Sequence, residues 1–158
     1  MRGNDKVIAI LNDMLKEELT AINQYFVHAE MCENWGYKKL GDYIKKQSID
    51  EMKHAEALIE RILFLDGTPK MAEGLSLKIG QSVKAQLEND LKLEHGAVAA
   101  YNEAIKAATE AADNGSRELL KKLLLDEEDH VDWLETQLHM IKETGYENYL
   151  AQHLSVGG

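Results

Sequence analysis

Cysteine is almost missing. Cys32 is the only one among 158 residues, so no disulfide can close within the chain, and a structural zinc site built on thiolates is excluded. Proline is as scarce, with Pro69 alone, and helices can run long without a break. Positive charge is outweighed: 18 Lys and Arg stand against 28 Asp and Glu, for a net charge of −10. That balance argues against a surface tracking nucleic-acid phosphates, and it gives a field that favours cations. No apolar run reaches the roughly 18 residues of a membrane span, and the opening Met1-Arg2-Gly3-Asn4-Asp5-Lys6 has no apolar signal-peptide core. The expectation is a cytoplasmic protein with neither membrane nor nucleic acid as partner. Alternation with period two is lacking too, so no strand is expected.

What is present is helical periodicity. Hydrophobic residues make up 44% and charged residues 29%, an ordinary globular balance. Gly36, the group Gly67, Gly74 and Gly80, then Gly115 and Gly145 separate segments whose apolar residues recur every three or four positions. The segments are predicted as helices over about 5–35, 38–66, 81–112 and 116–144, with Asn114-Gly115-Ser116 as a turn and N-cap, and a short fifth helix over 146–154. The link from Gly67 to Gly80 is 14 residues. Extended, it reaches about 46–50 Å, the length of a 30-residue helix at roughly 45 Å. The chain is therefore expected to form one all-α domain over residues 1–158. Its architecture is a four-helix bundle in which a long crossover link makes the second and third helices parallel.

Each apolar seam is interrupted near its middle: by Glu18, by Glu51 with His54, by Glu94, and by Glu127 with His130. Glu51-x-x-His54 and Glu127-x-x-His130 place a carboxylate and an imidazole on one helix face. One such pair means little; two pairs plus two lone glutamates, one set per helix, form a pattern. A buried carboxylate costs several kcal/mol unless it is paired, and no lysine or arginine lies on the seams at that depth. Two divalent cations would balance four carboxylates and two neutral imidazoles charge for charge. The donors suit iron, manganese or zinc, and the same set marks di-iron and di-manganese carboxylate bundles. His28, His95, His139 and His153 have no glutamate three positions before them on a seam and are expected at the surface or an interface.

The stretches Glu18–Tyr25, Ser48–Ala55, Arg61–Gly67 and Asp126–Thr136 resemble the bacterioferritins in order and spacing, along nearly the whole chain. The resemblance implies a ferritin-like fold and a hollow 24-subunit shell of two-fold dimers, possibly mixed with a second subunit type. That shell would oxidise Fe(II) with O2 or H2O2 and store ferric mineral. It implies a ferroxidase centre of Glu18, Glu51, His54, Glu94, Glu127 and His130 holding two irons per subunit. Glu51 and Glu127 would bridge the irons, and Tyr25 would sit beside them. It further implies that Met52 from each of two subunits clamps one haem b, with Ile22, Asn23, Phe26 and Trp35 around it, and that a small ferredoxin acts as reductant. The chain departs from the family at Lys46, where members often carry a histidine, and at the neighbouring Gln47. An iron site on the inner wall with Asp50 is accordingly not expected. A non-shell di-iron oxidase or peroxide reductase of the same fold is the alternative. A haem-bearing electron-transfer or storage protein is a further reading on Met52, and a DNA-protecting mini-ferritin, whose metal site between subunits and basic tail are not seen here, ranks last.

Overall fold

The fold follows from four amphipathic helices with nowhere else to bury their seams. The computed structural model describes residues 1–71 and 74–154. Its elements are α1 (Asp5–Asn34), α2 (Lys38–Phe64), α3 (Val83–Glu110), α4 (Asn114–Thr144) and α5 (Tyr146–Ala151), and no strand occurs among the described residues. Four long helices and a short fifth make up the described chain. Helix starts are capped where short polar side chains can meet free amides: Asn4 accepts from the amides of Lys6 and Val7, and Ser82 from that of Ala85.

Helix α4 begins two residues before the predicted start. Its cap is Asp113 rather than the Asn114-Gly115-Ser116 turn, which lies in its first turn. Asp113 takes the Ser116 amide and also pairs with Arg61 of α2 at 2.9 Å, while Arg61 Nε donates to the Ser116 hydroxyl. These bonds hold the Asp113 carboxyl below its usual range against the opposing effect of burial. The end of the chain also differs: α5 is a six-residue helix rather than one reaching 154.

Cross-helix bonds give the helix directions. The Ser48 hydroxyl donates to the Ile22 carbonyl and the Gly3 amide to the Leu65 carbonyl, so α1 and α2 are antiparallel. Tyr25 meets Glu94 and Tyr101 meets Glu18, so α1 and α3 are antiparallel as well. It follows that α2 and α3 run parallel, as the link length requires. Gly41 lets α1 and α2 close: a Cβ there would lie 2.9 Å from the Ala29 carbonyl oxygen.

The core forms two apolar clusters. One gathers Leu11, Leu15, Leu58, Ile62, Leu65 and Leu120; the other gathers Ala29, Cys32, Leu40, Ile44, Leu87 and Leu134, closed by Tyr149 of α5. Each fully buried leucine or isoleucine contributes about 1.5–3 kcal/mol. Together the two clusters outweigh the several kcal/mol that each buried charge between them costs.

The crossover link is tied down along its course. Asn12 of α1 donates to the Thr68 carbonyl and accepts from the Lys70 amide, and Gln24 accepts from the Lys78 amide. His28 accepts from the Gly80 amide through Nε2. His28 therefore corrects the expectation of a surface or interface histidine. It is fully buried, with Nδ1 2.9 Å from the equally buried Asp90 of α3. The reason is that its helix face turns towards the link and α3 rather than outward. Accepting at Nε2 places its proton on Nδ1, beside Asp90 but without an aligned hydrogen bond. His95 and His139 are exposed, and His153 is half-buried against the Tyr149 ring.

Candidate metal centre

Between the apolar clusters the seams deliver six ionisable side chains to one layer. Glu18, Glu51, Glu94 and Glu127 are each exposed by 1% or less, His54 by 6% and His130 by 9%. They form two overlapping groups, Glu18, Glu51, His54 and Glu127, and Glu51, Glu94, Glu127 and His130. Within each group one donor atom per residue lies within 4.8 Å of all the others, a spread that suits a metal ion. The two imidazole rings are 6.5 Å apart between centroids.

The distances divide the glutamates into two kinds. Glu127 reaches His54 Nδ1 with Oε1 at 2.9 Å and His130 Nδ1 with Oε2 at 3.5 Å. Glu51 does the converse, with Oε1 2.9 Å from His130 Nδ1 and Oε2 3.7 Å from His54 Nδ1. Each thus spans both halves of the layer. Glu18 approaches only His54, at 3.5 Å, and Glu94 only His130, at 3.6 Å.

The layer is unsatisfied as it stands. Glu18 Oε2, Glu51 Oε1, Glu94 Oε2, Glu127 Oε2 and His130 Nδ1 are buried without an aligned hydrogen bond. Buried polar atoms are rarely left so, and here they converge. The outer nitrogen of His54, Nε2, lies 2.9 Å from Asp126. A carboxylate there fixes the ring and leaves Nδ1 as the inward donor, the usual support for a metal-binding histidine.

Proton affinities show the cost of crowding. Burial, then the neighbouring Glu51, pushes Glu18 well above the ordinary carboxyl range; burial, then Glu127, does the same to Glu94. Burial alone would raise Glu127, but bonds from Glu94, His130 and His54 hold it below its ordinary value. Burial alone would lower His54 and His130, and the surrounding glutamates outweigh it and raise both. Two hydroxyls complete the layer: Tyr25 donates to Glu94 Oε1 and Tyr101 to Glu18 Oε1. Burial and the adjacent carboxylates raise both phenols, so both remain donors.

A cavity of about 550 Å³ opens beside the layer. Lys46, Asp50 and Lys53 of α2 and Lys122, Asp126 and Asp129 of α4 line it, together with His54 and His130. Lys46 and Asp50 share this wall, so no purely acidic pair forms there. Met52 points elsewhere: it is 55% exposed, as are Phe26 at 51% and Ile49 at 47%. Ile22 and Trp35 are half-buried and Asn23 is exposed.

Sequence reasoning passed over Tyr101 and Asp126. A signal for Tyr101 existed. Glu94, Tyr101, Glu127 and His130 each lie 76 residues after Glu18, Tyr25, Glu51 and His54. The α1–α2 hairpin and the α3–α4 hairpin repeat one pattern, and within it Tyr101 is the counterpart of Tyr25.

A ferritin-like domain family matches residues 8–144. The chain is 44% identical over 155 residues to a bacterioferritin of Mycobacterium leprae, covering 98% of each chain. It is 45% identical over 149 residues to a bacterioferritin of Brucella melitensis, covering 94% of this chain and 92% of that one. To a bacterial ferritin of Synechocystis it is 42% identical over 156 residues, covering 98% and 100%.

Proposed function

This chain belongs to the bacterioferritin family and serves iron storage; on that premise we propose that its six-donor layer is a ferroxidase centre. It would take two Fe(II) per chain as substrate and feed a ferric mineral inside a 24-subunit shell built of two-fold dimers. One observation carries this reading: buried, partnerless donor atoms converge from four helices, with two carboxylates spanning both halves.

Glu18, Glu51, His54 and Glu127 would hold one ion, and Glu94, Glu51, His130 and Glu127 the other. When bound, two Fe(II) supply one electron each, so that H2O2 with two protons is reduced to two waters. The protein's own residues do the rest. The carboxylates balance the incoming charge, and Glu18 and Glu94 surrender their protons as ions enter. Asp126 keeps His54 turned inward. The apolar clusters above and below keep bulk water from the layer. The cavity beside His54 and His130 offers a passage whose walls carry both signs of charge, which suits an ion in transit better than one retained.

Met52, Phe26 and Ile49 form an exposed apolar group on α1 and α2, and a thioether held outward fits an axial haem ligand. In this reading Met52 of each subunit in a two-fold pair clamps one haem b, and a ferredoxin reduces the store through it. The location is the cytoplasm.

Aerobic addition of Fe(II) to the metal-free protein tests the centre. Glu127→Ala and His130→Ala should each slow initial oxidation by at least the roughly 10–100-fold that loss of a mere supporting partner costs a metal site. Undiminished initial rates in both variants would overturn the assignment.

A further inference from the structure

Tyr25 follows Glu18 by seven residues on α1, and Tyr101 follows Glu94 by seven on α3. Seven residues are nearly two turns, about 10.5 Å along the axis on the same stripe. Because α1 and α3 are antiparallel, each tyrosine reaches the other helix's glutamate. Both rings are fully buried. A ring needed only for packing would not require a hydroxyl, and a buried hydroxyl without a partner is costly. The Tyr101 hydroxyl lies 2.5 Å from Glu18 Oε1, while Glu18 Oε2 has no partner. The Tyr25–Glu94 pair repeats that arrangement atom for atom.

We propose that Tyr101 is a positioning residue that occupies one oxygen of Glu18. It thereby commits Glu18 to single-oxygen ligation of the ion on the His54 side, as Tyr25 does for Glu94 on the His130 side. The two tyrosines make the ion positions alike. Removing one hydroxyl makes them unlike, because the released glutamate can rotate or offer both oxygens. The inference rests on the metal-centre reading and deepens it.

Anaerobic Co(II) titration of the metal-free assembled protein, followed by visible absorption, tests it without iron oxidation. The wild type should take up two Co(II) per chain at similar affinity. Tyr101→Phe keeps the ring and should loosen one of the two by roughly 10–100-fold, the usual cost of losing a partner of a metal ligand, with a changed band for that ion. Tyr25→Phe should do the same to the other ion, and the double variant to both. A Tyr101→Phe titration and spectrum superimposable on the wild type would overturn the proposal while leaving the metal centre intact. Failure of the wild type to bind two Co(II) would overturn both. Should Tyr101→Phe not fold, Zn(II) filling of Tyr25→Phe carries the same test. About half the wild-type tyrosine difference spectrum should remain, and its complete loss would refute a Tyr101–Glu18 contact.

Discussion

Protons and metal compete for the same side chains. Glu18, Glu94, His54 and His130 are all held above their ordinary values, so in the proposed centre two entering divalent ions should displace up to about four protons per chain. Metal affinity should therefore rise with pH, and titration in a weakly buffered indicator solution should show acid release. Stability of the metal-free protein should move the other way. A raised group contributes stability that is complete below its unfolded value and lost as pH climbs through its folded value. For the two glutamates that window opens above the ordinary carboxyl value of 4.5. Glu127, held low, acts only below that value, where its contribution fades with acid. Thermal midpoints taken upward from pH 5 should fall for the metal-free form and hold steady for the loaded form.

At the scale of the helix, much was readable and some was not. The apolar stripes of α2 and α4 are buried, with Leu40, Ile44, Leu58 and Ile62 in one and Leu120, Leu123, Leu134 and Ile141 in the other, because one such stripe per helix is enough to fix which face turns inward. The six interruptions of the four helical stripes are the six side chains that meet. The signal failed on the faces turned to the link. Gln24, His28, Gln86 and Asp90 are buried polar residues off the seams, with Gln24 bonded to Asp90 and Gln24, His28 and Gln86 to the backbone of the link, so apolar period cannot find them. Asp126 lies one residue before Glu127 and reads as a solvated acid until His54 is placed beside it.

The link depends on these polar residues. His28→Ala would strand the Gly80 amide at about 1–3 kcal/mol and leave Asp90 with Gln24 alone. It should lower the denaturation midpoint and speed proteolysis around residues 68–80 while helical content persists. An unchanged cleavage rate would show that the link is held elsewhere.

Bacterioferritins assemble as homo-oligomers, and this chain leaves Phe26 of α1 and Ile49 and Met52 of α2 on its outer face. If that face clamps haem, Met52→Ala should abolish the bis-thioether absorption of protein produced with ample haem. Iron oxidation should be untouched, because Met52 and the metal layer point apart. Loss of both properties together would place Met52 in assembly rather than in haem ligation.

The 76-residue repeat also limits how the molecule can come into being. Each hairpin owns one spanning carboxylate, one end carboxylate and one imidazole, and each ion position borrows a spanning carboxylate from the opposite hairpin. In the proposed centre neither hairpin could build an ion position alone, so the two would have to dock before iron had anywhere to go. Bound there, the metal would stitch them together, and the cargo would double as the mortar of its own container.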